Sequence, residues 1–201
     1  MKLYITIPSP YARKCRIVAR EKGLADRVEE VVVDLYGSAP ELAACNPLDQ
    51  VPALIAGDGL PITHSPLICE YLDGQGTGPR LLPASGPERL TVRRIETLAD
   101  GAMEMGVKWV LEKRRPEHER SPAWIERWRD RLGRSFDALE AADLSAHRLD
   151  LGVIAAGCIL TWTDFRHPDY DWRTGRPRLT AAAPSASIPS RRSWRNWRSS
   201  T

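Results

Sequence analysis

Three places near the start of the chain have the residue types for chemistry. "PSPYARK" sets Ser9 and Pro10 at a helix start, and "HSPLI" repeats the pair at Ser65 and Pro66. Between them, "DQVPAL" places Pro52 inside the apolar run Val51-Pro52-Ala53-Leu54-Ile55, which reads as a strand. A serine just before a helix caps it by accepting a main-chain N–H, and proline suits the first turn. Ser9 and Ser65 therefore each have a purely structural explanation. A helix N-terminus also favours an anion, and a hydroxyl there can donate to a thiolate that arrives with a ligand. Such a bond to a charged group contributes about 1.5–3 kcal/mol, and one pKa unit is about 1.4 kcal/mol. A thiol would thus be acidified by roughly one to two units, enough to populate the nucleophile near neutrality. Proline gives a sheet no N–H, so Pro52 belongs at an edge, at a strand's first residue, or where main chain is kept free for something else to bind.

The elements that must position these residues follow from periodicity. Residues 2–7 read as a strand, and 10–22 as a helix with Ala12, Cys15, Val18 and Ala19 on one stripe, stopped by Gly23. The β-branched segment 29–35 reads as a second strand, parallel to the first. A short helix near 41–45, a strand over 51–56, the turn Gly57-Asp58-Gly59, a brief strand at 61–63 and a helix from Ser65 to about Leu72 complete an α/β unit. "GQGTGPRLLPASGPE" marks a linker. Beyond it only helical patterns follow: 90–113, 122–142, and 151–165, which is apolar on nearly every side. A β-α-β unit followed by a proline-led strand has a thioredoxin-like layout, in which a Cys-x-x-Cys would occupy the first helix start. That place reads Ser9-Pro10-Tyr11-Ala12, so dithiol exchange there is excluded. Cys15 lies on the apolar stripe and reads as core.

Composition excludes several classes. The 201 residues are 42% hydrophobic and 27% charged, as in a globular chain, and no apolar run reaches membrane-spanning length. Met1 leads straight into strand-like residues instead of a signal peptide, so a cytoplasmic location is expected. Cys15, Cys45, Cys69 and Cys158 form neither a Cys-x-x-Cys nor a Cys/His cluster, so reduced thiols and no metal are expected. The net charge of +3 is concentrated in residues 180–201, whose only charged residues are Arg191, Arg192, Arg195 and Arg198. A nucleic-acid partner would have to be read from that tail alone.

"SPYARKCRIVAREKGL", "NPLDQVPAL", "HSPLICEYLD" and "PRLLP", in this order, resemble a bacterial cytosolic glutathione transferase, and "RIETLADGAMEMG" and "DFRHPDYDWRTGRPRL" extend the likeness to about Leu179. The resemblance implies an α/β plus all-α fold: a thioredoxin-like glutathione-binding domain at 1–77, a linker at 78–87 and a helical-bundle domain at 88–179. It also implies a homodimer, a detoxification role and glutathione as co-substrate, with no metal. Pro52 would be cis, leaving the Val51 N–H and C=O to pair with the cysteinyl backbone of glutathione like an added strand. Gln50 would hydrogen-bond the tripeptide, although Asp49 replaces a common glycine. Ser65 would hold the γ-glutamyl carboxylate with its hydroxyl and N–H. His64 stands where an acid is usual and offers the ligand's ammonium no permanent negative charge. Ser9 would steady the thiolate for attack on a small hydrophobic electrophile. Tyr11, Met105, Trp109 and Trp162 are candidates for the second substrate's pocket, although such stripes are more often core. The alternative is a non-catalytic protein of the same fold that acts through protein contacts, like the starvation-response members bound to RNA polymerase.

Two departures concern the second domain. The family's capping box opens the central helix, but Asp150-Leu151-Gly152-Val153 lacks the reciprocal acid, so an aspartate at 153 is expected to strengthen the helix start. After Leu179, where the family continues into a packed terminal helix, "TAAAPSASIPSRRSWRNWRSST" offers no apolar stripe. It reads as a disordered tail, as a single-strand nucleic-acid binder through its arginines and tryptophans, or as the product of a frameshift.

Overall fold

The computed structural model describes residues 1–144 and 148–183, and most of the unusual carboxyl-terminal segment lies outside them. The chain divides into two compact units, Met1–Pro83 and a second that begins at Ala84.

The first unit is a four-stranded mixed sheet in the order β2-β1-β3-β4, formed by β1 (Lys2–Ile5), β2 (Glu29–Val32), β3 (Ala53–Ile55) and β4 (Pro61–Thr63). β1 runs parallel to β2 and antiparallel to β3, with Leu3 opposite both Glu30 and Leu54. β3 pairs antiparallel with β4, Leu54 opposite Ile62. Helices α1 (Pro10–Glu21), α2 (Pro40–Cys45) and α3 (Ser65–Gln75) belong to this unit. The expected strand over 51–56 is shorter than its apolar run: the ladder begins at Ala53, because Pro52 has no N–H to give it. Leu3, Ile5, Ala12, Cys15, Val18, Leu54, Ile68, Cys69 and Leu72 form a buried apolar interior.

A buried ion pair fastens the end of this unit. Lys22 Nζ lies 3.1 Å from Asp73 Oδ1 and donates to the carbonyl of Pro79 at 2.9 Å. Asp73 in turn accepts the N–H groups of Leu81 and Leu82 at 3.0 and 3.1 Å. Every strong donor and acceptor is thus matched, which a buried pair requires; removing one partner from such a pair costs about 3–5 kcal/mol. Gly76 permits the arrangement, since a Cβ there would collide with the main chain and Cβ of Lys22. The residues following α3 are therefore tied back to the end of α1.

The second unit contains α4 (Gly86–Arg114), α5 (Pro122–Ala141), α6 (Leu151–Arg166) and the short α7 (Pro177–Ala182). α4 and α6 approach closely through glycines. A Cβ on Gly152 would lie 2.9 Å from the Ile95 Cβ, and one on Gly106 2.7 Å from the Trp162 ring. Asp150 caps α6 by accepting the Val153 N–H at 2.9 Å. Val153 itself is only 8% exposed, so an aspartate there would be desolvated beside Asp150. Burial thus corrects the expectation that this substitution strengthens the helix. Among the described residues no helix is long and apolar enough to cross a membrane.

His167, just after α6, is 1% exposed. Its ring stacks on Trp109 at 3.8 Å between centroids and meets the Trp162 ring edgewise at 5.7 Å. Nε2 lies 3.2 Å from the Gly106 carbonyl, while Nδ1 has no hydrogen-bond partner among the described residues. Desolvation lowers the pKa to about 4; the Gly106 bond opposes this, and the charges of Lys113 and Arg166 add to the lowering. The ring is accordingly neutral at pH 7, with Nε2–H as the donor. Between the folded value and the ordinary 6.5 the unfolded chain binds more protons, so stability falls as pH drops through that window. From about pH 7 to about pH 5 the loss from this residue is about 2 kcal/mol. Urea unfolding at both pH values should show that slope in the wild type and a shallower one in His167→Gln, and equal slopes would contradict the assignment.

Candidate functional site

Ser9 is the N-cap of α1. Its extended main chain (φ −74°, ψ 122°) turns the hydroxyl back onto the helix, where Oγ accepts the Ala12 N–H at 3.2 Å. A capping hydroxyl uses a lone pair for this and keeps its own hydrogen. No described residue accepts that hydrogen. Pro10 takes the first helical position, where its missing N–H leaves nothing unsatisfied.

The segment before β3 is shaped by a residue that the sequence pattern did not single out. Asn46, buried at the end of α2, donates from Nδ2 to the Gln50 carbonyl at 2.8 Å and accepts the Leu48 N–H at Oδ1 at 3.1 Å. Its own carbonyl takes the Asp49 N–H at 2.9 Å. The turn that results needs a left-handed residue, and Asp49 supplies it at φ 51°, a conformation aspartate tolerates better than most residues. The position suits the glycine common in the resembling family. The Val51–Pro52 peptide bond is cis. The Val51 side chain packs against Tyr4, Leu42, Cys45 and Ala53, while its main chain lies outside the ladder that starts at Ala53. The Gln50 side chain is exposed.

At the start of α3 the structure departs from a plain capping pattern. Ser65 is the first helical residue and His64 the cap, one place later than the Ser9 arrangement, and no side chain closes the end. His64 is exposed and holds φ 72°, ψ 120°, sparsely populated for a residue with a Cβ. This turns its carbonyl to receive the Leu67 and Ile68 N–H groups at 3.0 and 3.1 Å. The Ser65 N–H is one of the helix's unpaired first-turn donors, and its hydroxyl, on a residue 2% exposed, makes no hydrogen bond to a described residue. Free donors at a helix N-terminus are what an anion uses. All of Ser9, Gln50, Val51, Pro52, His64 and Ser65 belong to the first unit.

The four residues proposed to face a second substrate fall in both units. Tyr11 in α1 and Met105 in α4 are partly exposed. Trp109 and Trp162 are buried in the second unit, in contact with His167. Among the described residues no group of three or more His, Cys, Asp or Glu side chains is placed to hold a metal.

Residues 8–75 match the family model of the glutathione S-transferase N-terminal domain, and residues 122–181 that of the glutathione S-transferase C-terminal domain. The chain belongs to the glutathione S-transferase family. It is 35% identical to the uncharacterized GST-like protein YibF of Escherichia coli (strain K12), over 89% of this chain and 90% of that one. A glutathione transferase family member from Pseudomonas fluorescens Pf-5, solved with bound glutathione, superposes with a TM-score of 0.85 at 34% identity, covering 90% of each chain. A glutathione S-transferase from Methylobacillus flagellatus KT, also with glutathione bound, gives 0.82 at 36% identity, over 90% of this chain and 91% of that one. The small mixed sheet followed by a helical unit is the glutathione transferase fold.

In this family member, the asparagine that opens "NPLDQVPAL" is the residue the motif conceals. An Asn that follows a short helix and precedes a left-handed residue is the signal that would have exposed it. Asn46→Ala removes both side-chain bonds and leaves the Gln50 carbonyl without its donor, so stability should drop by about 1–3 kcal/mol. Urea unfolding of this variant measures it, and an unchanged midpoint would mean that the turn holds itself.

Proposed function

We propose that this protein is a glutathione transferase that activates the thiol of glutathione for attack on a small hydrophobic electrophile. What supports the reading most is the Ser9 hydroxyl: it caps α1 with a lone pair and retains a hydrogen to donate. That donor sits at the positive end of a helix, where a thiolate is favoured. Val51 would exchange main-chain hydrogen bonds with the cysteinyl residue of the tripeptide, as an added strand does. Ser65 would receive the γ-glutamyl carboxylate with its hydroxyl and N–H, and the exposed Gln50 would reach the tripeptide from the side. His64 gives the ammonium no fixed counter-charge, so the affinity would rest on the carboxylate and main-chain bonds.

The hydrogen bond from Ser9 holds the sulfur ionised and aimed. The thiolate lone pair then forms the bond to the electrophilic carbon as that carbon's leaving group departs. Of the four aromatic and methionine candidates, Tyr11 is partly exposed and shares the first unit with Ser9, and it is assigned to the electrophile. The family likeness carries the expectation of a cytoplasmic homodimer.

Glutathione conjugation by the wild type and by Ser9→Ala, Ser9→Asn and Ser9→Thr tests the proposal. Loss of a bond worth about 1.5–3 kcal/mol lowers the rate roughly ten- to a hundred-fold. Ser9→Thr, with cap and hydroxyl, should recover, whereas Ser9→Asn, whose Oδ1 can cap while Nδ2 keeps donor hydrogens in a different place, should fall between Ala and Thr. A wild type that binds no glutathione, or an Ala variant with full rate, would contradict the proposal.

A further inference from the structure

Two thiols lie in contact where α1 and α3 pack together. Cys15 and Cys69 are both 0% exposed, and Cys69 Sγ donates to Cys15 Sγ at 3.7 Å. Cys15 Sγ in turn donates to the carbonyl of Ser65 at 3.8 Å. These are weak bonds, but they join three residues whose order in space matters. α1 begins at Ser9 and α3 begins at Ser65, so the sulfur pair bridges the two helices that carry the hydroxyls assigned above. Sequence spacing hides the pair, because 53 positions separate the cysteines and neither has a second cysteine nearby in the chain. Cys45 and Cys158 are buried elsewhere; Cys45 donates to the Leu54 carbonyl at 3.8 Å, and burial raises its pKa.

We propose that Cys15 and Cys69 form an oxidisable dithiol, closed to a disulfide by hydrogen peroxide, and that closure weakens glutathione binding through Ser65. Burial of both sulfurs excludes bulky disulfides as oxidants and selects an oxidant near the size of water. One sulfur, as thiolate, attacks a peroxide oxygen; the O–O bond breaks, hydroxide leaves, and a sulfenic acid forms. The second thiol attacks that sulfur; the S–O bond breaks, water leaves, and the S–S bond forms. Each sulfur gives up one electron, the peroxide takes both, and two thiols plus one peroxide yield one disulfide and two waters. Cys15 then has no S–H to donate to Ser65, and α1 is covalently tied to the first turns of α3. The effect on glutathione rests on the functional reading above; disulfide formation does not.

The full-length protein is treated with hydrogen peroxide at neutral pH, checked by circular dichroism to be still folded, then unfolded in alkylating agent for intact mass and peptide mapping. The expected result is loss of two hydrogens, a link between residues 15 and 69, alkylated Cys45 and Cys158, and reversal by dithiothreitol. Alkylation of Cys15 and Cys69 in the treated protein, or a link to another cysteine, overturns the proposal. In Cys15→Ala, peroxide should instead leave Cys69 as a sulfenic acid, captured by dimedone present while the treated protein is unfolded; should that variant not fold, the wild-type map alone decides. Calorimetric titration with glutathione should show several-fold weaker affinity in the oxidised form, and equal affinity would overturn the coupling to Ser65. A reduced protein that binds no glutathione would overturn the functional reading and the coupling, while the mass result would still decide the disulfide.

Discussion

A main-chain N–H or C=O taken from water must find a partner, and this constraint organises the first unit. Three strand pairings satisfy β1 to β4, but the ladder on β3 opens only at Ala53. Val51 is held in place by its side chain, packed against Tyr4, Leu42, Cys45 and Ala53, while its polar main chain is left outside the sheet. The apolar half of the residue fixes the position of the polar half. Main chain left outside a ladder in this way is what a peptide-like ligand can complete.

The surroundings keep that stretch in one conformation. Asn46 gathers the preceding turn with both ends of its amide, and Asp49 takes the left-handed position the turn needs. Lys22 and Asp73 tie the chain after α3 to the end of α1, so the two helices with serines at their N-termini are linked at their far ends as well. Near their starts a softer bridge joins them: the sulfurs of Cys15 and Cys69 and the carbonyl of Ser65. The stiff connection lies far from the hydroxyls and the deformable one beside them.

Much of this was legible in the residue pattern, for identifiable reasons. Ser9-Pro10 announces a helix start because capping is local, and Ser9 Oγ does accept the Ala12 N–H. The α4 helix follows from apolar periodicity and α6 from a run that is apolar on nearly every side, and each extends past its sequence boundary because polar end residues add nothing to either signal. Ser65 was less legible. The same dipeptide sits one position further into its helix, since His64 and not Ser65 takes the cap position. Asn46, the Cys15–Cys69 contact and the burial of Val153 depend on pairs or neighbours brought together by folding, which spacing cannot reveal.

The direct test of the central claim is a nuclear magnetic resonance titration of the isotopically labelled, full-length protein with glutathione. The Val51 and Ser65 amides should shift together and saturate with one affinity, as main-chain donors that gain a ligand acceptor must. Saturating shifts that leave both amides unmoved would contradict it, because the tripeptide would then be held somewhere other than the unpaired main chain before β3.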